Sequence, residues 1–481
     1  VHAIIGTRMF GMVASALSPG RDQPFIIDLS ANVVVPLAGV GGATNQPISP
    51  TTTGDWTPPT IANVGVYVIV THPGFAGMAG GNCFGVFDLT NPGAPVWSMQ
   101  TTGTNALPGL PVAVANFNDR AYFAVGNTTY YTDELLLNRA NASQAIVCGD
   151  STAINALSGL PIQTTSSGVT SGLLVFKPAQ IWQITGDTTT SNLDNNFLSL
   201  NVGTLSPRTI AQAPTGTYFL STAGGPYIIN LLGGLQPLTH DFGATSIPDV
   251  QVPFQNALTP SRWAGAYITS VYRVCGPTVI QGVPLTFDYW FDEHRRRWNG
   301  PHTFVYDCAS AYGNSFVLTS VLNPGLVLQN FPVPGLSPTY TDLNNPYPCD
   351  LQSCTFPETG DMCTHQVVES QIELGGAPAG ATYTLTAIDE RGVQIGATLT
   401  PMVVASSGGT IWGSGPTWGS GPRWTSGQNQ APYTYAVNWT APIVFEKMAI
   451  DVQTTAGPNV LIGTFYARFQ KTGYMTMKQA V

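Results

Sequence analysis

Apolar residues along this chain come in short runs of four to six, each broken by glycine, proline or asparagine, with no sustained period of 3.6 and no heptad. Such runs predict β-strands, and their pairing around tight turns predicts hairpins. The same hairpin recurs: GVYVIVTHPGF from Gly65, RAYFAVGNTTYYTD from Arg120, GLLVFKPAQIWQITGD from Gly172, GTYFLSTAGGPYIINL from Gly216, GAYITSVYRVCGP from Gly265 and SFVLTSVLNPGLVLQNF from Ser315. Successive starts lie 55, 52, 44, 49 and 50 residues apart, close to the roughly 40 to 50 residues of one four-stranded propeller blade. A small sheet cannot bury both faces alone, whereas a ring of sheets buries each face against a neighbour. The expected fold is therefore all-β, with residues 1–345 forming a six-bladed β-propeller that includes an N-terminal arm.

Beyond about residue 346 the rhythm changes. HQVVESQIEL, ATYTLTAIDE, TYAVNWTAPIVFEKMAIDVQTT and LIGTFYARFQKTGYM alternate as longer strands, which predicts a β-sandwich over 346–481. Inside it lies a loop of about 25 residues, 406–432, longer than most connections, containing WGSGPTWGSGPRW. Glycine and proline exclude a helix there. In an extended chain the six-residue interval puts Trp412, Trp418 and Trp424 on one side. Three anchors about 20 Å apart need a long receiving surface: another subunit, a neighbouring protein, or the sandwich of the same chain.

Composition agrees with this reading: Gly 52 and Pro 38 of 481 residues suit many turns, and 43% hydrophobic residues suffice for a core. Only 9% of residues are charged, with 26 acidic against 17 basic side chains and a net charge of −9, which argues against tight wrapping of nucleic acid. No Lys or Arg occurs between Asp22 and Asp119. The one basic concentration is FDEHRRRWNGPHTF, with Arg295, Arg296 and Arg297. Read as a strand, it puts Glu293, Arg295 and Arg297 on one face and His294, Arg296 and Trp298 on the other, a surface for ion pairing at a subunit contact or for touching phosphates, or simply a solvated outer strand.

Chemistry is sparse. There is no G-x-S-x-G, H-E-x-x-H or phosphate-binding loop, so no enzyme is expected, and no cofactor. Gly186 to Asn196 is rich in oxygen ligands but lacks calcium-loop spacing; HDFGATSIPD and the pair Asp292 and Glu293 read as turn or surface acids. Seven cysteines fit reduced thiols. Cys349, Cys354, Cys363 and His365 carry zinc-type donors without the usual paired spacing, leaving buried thiols, one disulfide or a metal open. No apolar run is long enough to span a membrane, and the first residues lack a secretory-signal pattern.

Several stretches resemble the tail nozzle, or tail hub, proteins of short-tailed bacteriophages: SPGRDQPFIIDL, VTHPGF, RAYFAVGNTTYYTDEL, LLVFKPAQIWQITGD, GTLSPRTIAQAPTGTYFLSTAGGPYII, RRRWNGPHTF and IGTFYARFQKTGYM, in order along nearly the whole chain. The resemblance implies a structural virion protein, a propeller with added β domains. It implies a hexameric tube beneath a portal-bound adaptor that holds fibres or a tailspike and passes the genome during ejection. It implies no catalytic residues, and assembly in the bacterial cytoplasm. Six copies at −9 give −54, and a negative lumen lets DNA slide past. The alternatives are a carbohydrate-binding host-recognition propeller, using exposed aromatics, and a sialidase-type hydrolase, for which adjacent arginines have the wrong geometry.

Overall fold

The computed structural model describes residues 2–474 apart from 16–19, 42–44, 49–58, 79–80, 165–167, 187–192, 240–247, 281, 303–304, 320–326, 331–348, 353–362, 376–381, 390–392, 396–398, 404–432, 438, 440–442, 446–447 and 455–460. The chain divides into two compact units, Val1–Phe331 and Pro332–Val481. The protein is nearly all β; among the described residues there is one α-helix, Pro248–Gln255.

Among its described residues the first unit holds seven antiparallel sheets, each a meander of consecutive strands. Their first strands are His2–Ile5, Thr60–Val64, Ala113–Phe117, Ala156–Thr164, Ala211–Ala213, Ala264–Ile268 and Cys308–Tyr312. Six sheets have four strands and the seventh three. Sheets two to seven contain the six hairpins expected from the sequence. The first sheet corrects that count: its strands His2–Ile5, Arg8–Ala14, Asp22–Asp28 and Val33–Val34 occupy what the hairpin spacing left as an arm. The cause is local. Its opening turn is Gly6–Thr7, with Gly6 at φ +61°, and no aromatic-rich second strand marks it.

Neighbouring sheets share apolar cores, and the two-residue period of the strands explains how. In Tyr67–Thr71, Val68 and Val70 pack with Phe10, Met12 and Ile26 of the first sheet, while the intervening Ile69 packs with Val114 and Phe123 of the third. In Gly168–Phe176, Leu173 and Val175 face sheet three and Leu174 and Phe176 face Phe219 and Ile229 of sheet five. Strands buried on both faces read as continuous apolar runs, and each fully buried Val, Leu or Phe contributes about 1.5–3 kcal/mol. The first strands of sheets one to three lie side by side in order, and Cys308–Tyr312 lies against both Ala264–Ile268 and His2–Ile5, so the last sheet meets the first.

All the sheets for which a tie is visible run the same way. The turn between strands one and two of one sheet meets the turn between strands three and four of the next. Arg8 donates to the carbonyl of Pro92 at 3.0 Å; Leu135 lies over Gly65; Asn118 Nδ2 donates to the carbonyl of Gly186 at 2.9 Å. These turns form one end of the unit.

Among the described residues of the second unit, two antiparallel sheets of four strands each, built around Ala449–Thr454 and Cys363–Gly375, share a core that includes Ile372, Leu385, Val437, Phe445, Met448 and Ile450. The longest strand, Leu461–Tyr474, pairs along Cys363–Gly375.

Candidate functional site: an arginine turn and the polar ties between sheets

Strands Val283–Asp292 and Arg297–His302 form the outer hairpin of the sixth sheet, with Asp292 opposite Arg297. The sequence reading of alternating arginines in a strand is corrected here: residues 293–296 are the turn itself. The reason is the aspartate before it. Asp292 Oδ1 accepts the backbone N–H of Arg295 at 3.0 Å, closing an Asx turn, and Arg296 takes φ +50°.

Glu293 points back into the protein. Its N–H donates to the carbonyl of Ser270 at 2.8 Å, and its carboxylate accepts hydrogen bonds from the hydroxyls of Thr215 and Tyr267. Burial, and next the Glu293 carboxylate, push the Tyr267 phenol up to about 12, so it donates. Tyr267 stacks on Tyr218, which stacks on Tyr272. Thr215 belongs to sheet five, so Glu293 fastens two sheets. Anchored there, the turn directs Arg295, Arg296 and Arg297 outward, all exposed; the Arg295 side chain is 80% exposed, with Nε 3.8 Å from Asp292 Oδ2. The arrangement offers planar guanidiniums suited to forked contacts with carboxylates.

The capped turn recurs. Asp28 Oδ1 accepts from the N–H groups of Ser30 and Ala31, Asp88 Oδ1 from Thr90 and Asn230 Oδ1 from Leu232 and Gly234. Each of these residues ends the third strand of its sheet. An Asp or Asn closing the third strand is thus a sequence signal of this turn.

Sequence reasoning also missed the charged groups buried between sheets. Arg273 and Asp288 form an ion pair in sheet six, with Nη2 2.6 Å from Oδ2 and side chains 1% and 0% exposed. Asp288 also accepts from Tyr306 Oη at 3.0 Å and Trp290 Nε1 at 2.7 Å, and the guanidinium lies over the rings of Trp290, Tyr306 and Phe316. Burial, then Asp288, hold the Tyr306 phenol well above its usual range. Phe316 and Tyr306 bring the seventh sheet to the sixth. Buried Lys177 donates to the carbonyl and Oδ1 of Asp150 at 2.7 and 2.9 Å, while Thr152, then Lys177, lower the Asp150 carboxyl to about 2. His72 Nδ1 accepts the N–H of Gly74 at 2.8 Å, which leaves Nε2 to carry the proton facing Asp22 Oδ2 at 3.3 Å. Arg208 donates to the carbonyls of Asp307 and of Ser261; burial lowers its guanidinium to about 10, so it stays charged.

Of the other sequence candidates, His365 is buried between Phe445 and Phe469, Cys349 opens one strand and Cys363 another, and Cys354 lies outside the described residues. No metal-holding group of three His, Cys, Asp or Glu occurs among the described residues. Cys83, Cys148, Cys275 and Cys308 are buried and outside any disulfide, and burial raises the first three thiols, away from nucleophilic reactivity. Trp412, Trp418 and Trp424, most of Gly186 to Asn196 and most of HDFGATSIPD also lie outside the described residues. No described helix is long and apolar enough to cross a membrane.

No family model matches the chain, and no curated protein matches it. Among solved structures it is similar to a puromycin hydrolase at 11% identity and TM-score 0.38, covering 66% of this chain and 49% of that one. It is similar to the β-propeller domain of the Trilobed protease from Pyrococcus furiosus at 8% identity and TM-score 0.30, covering 68% and 95%. A glycoside hydrolase aligns at 10% identity and TM-score 0.24, covering 97% and 96%. The chain thus spans about half the length of the puromycin hydrolase. Likenesses at such low identity and TM-score transfer no function.

Proposed function

We propose that this chain is a structural tail nozzle protein of a short-tailed bacteriophage. In this reading the seven sheets make a closed seven-bladed propeller, the two sheets of the second unit make a β-sandwich, and several copies, six by the resemblance, form a tube for genome exit. The tube docks on a portal-bound adaptor and carries fibres or a tailspike. It has no catalytic role and acts in the virion, after assembly in the bacterial cytoplasm.

One observation carries the proposal. The stretches that resemble nozzle proteins contain the residues that fasten sheet to sheet: Asp22 in SPGRDQPFIIDL and His72 in VTHPGF, Lys177 in LLVFKPAQIWQITGD, and Arg208 in GTLSPRTIAQAPTG. Within the first unit the resemblance thus covers residues that hold the framework together, which is what a rigid wall requires. The sparse charge of the chain suits large subunit contacts, whose centres are depleted in Lys, Asp and Glu.

The test is negative-stain imaging of the purified protein, with gold-labelled antibody against it applied to intact particles. Rings with a central hole, and gold at the tail tip, are expected. Label on the capsid alone, or a protein absent from particles, overturns the reading.

A further inference from the structure

At the end of the unit where the turns meet, the third sheet carries an exposed apolar patch. Leu135 and Leu136 are 48% and 51% exposed, and Val66 of the second sheet is 45% exposed. Leu135 also packs over Gly65, so the patch is continuous across the two sheets. Its shape is built in: the N–H of Leu135 donates to the carbonyl of Asp119 at 2.7 Å, which presses residues 133–137 onto the Asn118–Asp119 turn. Exposed carboxylates rim it: Asp119, whose carbonyl holds Leu135, and Glu134, next to Leu135 in the chain, whose side chain is 57% exposed and 3.9 Å from Arg120. Three adjacent apolar side chains with acids at the edge mark an interaction surface for a partner that is basic at its contact.

The same chain presents that chemistry. Arg295 and Arg296 sit in the turn between strands three and four of sheet six, and Arg297 opens strand four. Thr215, in the turn between strands one and two of sheet five, bonds Glu293 of this turn, so the arginines stand at the same end of the unit as the patch. Sheets three and six are three positions apart in one direction around the seven and four in the other, hence on opposite sides. A knob and a receptor on opposite sides of one subunit make a head-to-tail contact, which closes into a ring when the rotation allows. Arginine stems cover apolar side chains while their guanidiniums reach the rim.

We infer that the apolar patch of Val66, Leu135 and Leu136, with Asp119 and Glu134 at its rim, receives the Arg295–Arg297 turn of a second copy of this chain. The inference rests on the assembly part of the proposed function, and supplies the contact that builds it.

A charge swap tests it on the full chain, with mass photometry across a concentration series and circular dichroism to verify folding. Glu134→Arg and Arg295→Glu, each alone, weaken self-association roughly tenfold or more, since like charges then face each other; the two combined restore it. The neutral variants Glu134→Gln and Arg295→Gln, gentler on the fold, weaken it less and are not rescued by combination. Wild-type rings unaffected by any of the four changes, or a double variant no better than the singles, overturn the inference and leave the nozzle reading standing. A wild-type chain that stays monomeric at every concentration overturns both.

Discussion

Replacing Asp288 by alanine tests whether buried charge holds the sixth and seventh sheets together. The substitution leaves the Arg273 guanidinium, 1% exposed, facing a void where a carboxylate stood at 2.6 Å, and strips Tyr306 and Trp290 of their acceptor. Removing one partner of a buried pair costs about 3–5 kcal/mol, because the remaining charge is left uncompensated. The neutral hydrogen bonds do not add to this in full, since the three donors share one carboxylate. We take about 4 kcal/mol. Unfolding the 331 residues of the first unit carries an entropy of about 0.7 kcal/mol/K, so Tm falls by roughly 6 °C. Differential scanning calorimetry on Asp288→Ala, Arg273→Met and the double variant Arg273→Met/Asp288→Leu gives the decision. The double variant is expected to melt above Asp288→Ala, since no orphaned charge remains and apolar replacements of buried pairs are often tolerated. Asp288→Ala melting within about 1 °C of wild type, or the double variant melting lowest, refutes the reasoning.

Four more outcomes follow from the same structure. Gly85→Ala is expected to destabilise by about 1–3 kcal/mol or more, because a Cβ there stands 2.0 Å from the indole of Trp97; chemical denaturation measures it. Below pH 4 the Asp150 contribution drains away: its folded value is lowered, so the stabilisation is full above the ordinary value of 3.8 and is lost as pH falls through about 2. Thermal melts of Asp150→Asn should therefore lie below wild type at pH 5 and converge with it near pH 2, and a constant gap would contradict the assignment. Alanine at Arg295, Arg296 and Arg297 together should leave Tm nearly unchanged, as exposed charges contribute little, while impairing assembly; normal assembly with altered ejection alone would place them against DNA instead. Serine at Trp412, Trp418 and Trp424 should give a folded monomer that fails to assemble, whereas a lowered monomer Tm would assign the arm to its own chain, and lost glycan binding with intact assembly would favour the recognition reading.

The sequence was legible where local pattern carries the structure. Runs such as YVIVT and GLLVF announce strands buried on both faces, and the turn residues after them fix the hairpins. It was illegible where partners are far apart or the signal is brief. The Lys177 and Asp150 pair spans 27 residues, and nothing around either residue announces the other. The first sheet was missed because its second strand, RMFGMVA, lacks the aromatic-rich pattern that marks the other hairpins. The arginines were read with the period of a strand although Asp292 marks a turn, and the repeated Asp28, Asp88 and Asn230 caps would have corrected this. Which acidic surface answers the arginines needed the order of the sheets around the ring.

Among the described residues each sheet of the first unit is completed by consecutive strands, and none borrows a strand from elsewhere in the sequence. During synthesis this lets successive sheets fold as they leave the ribosome, each docking on its predecessor with only local loops to close. The one exception is the last step. His2–Ile5 meets Cys308–Tyr312 across a separation of about 300 residues, and at 5–20 residues per second the first sheet waits roughly 15 to 60 s with one flank uncovered. Until that contact forms, the nascent first unit stays an open arc, and a chaperone that shields the outer flank of its first sheet would cover the surface that waits longest.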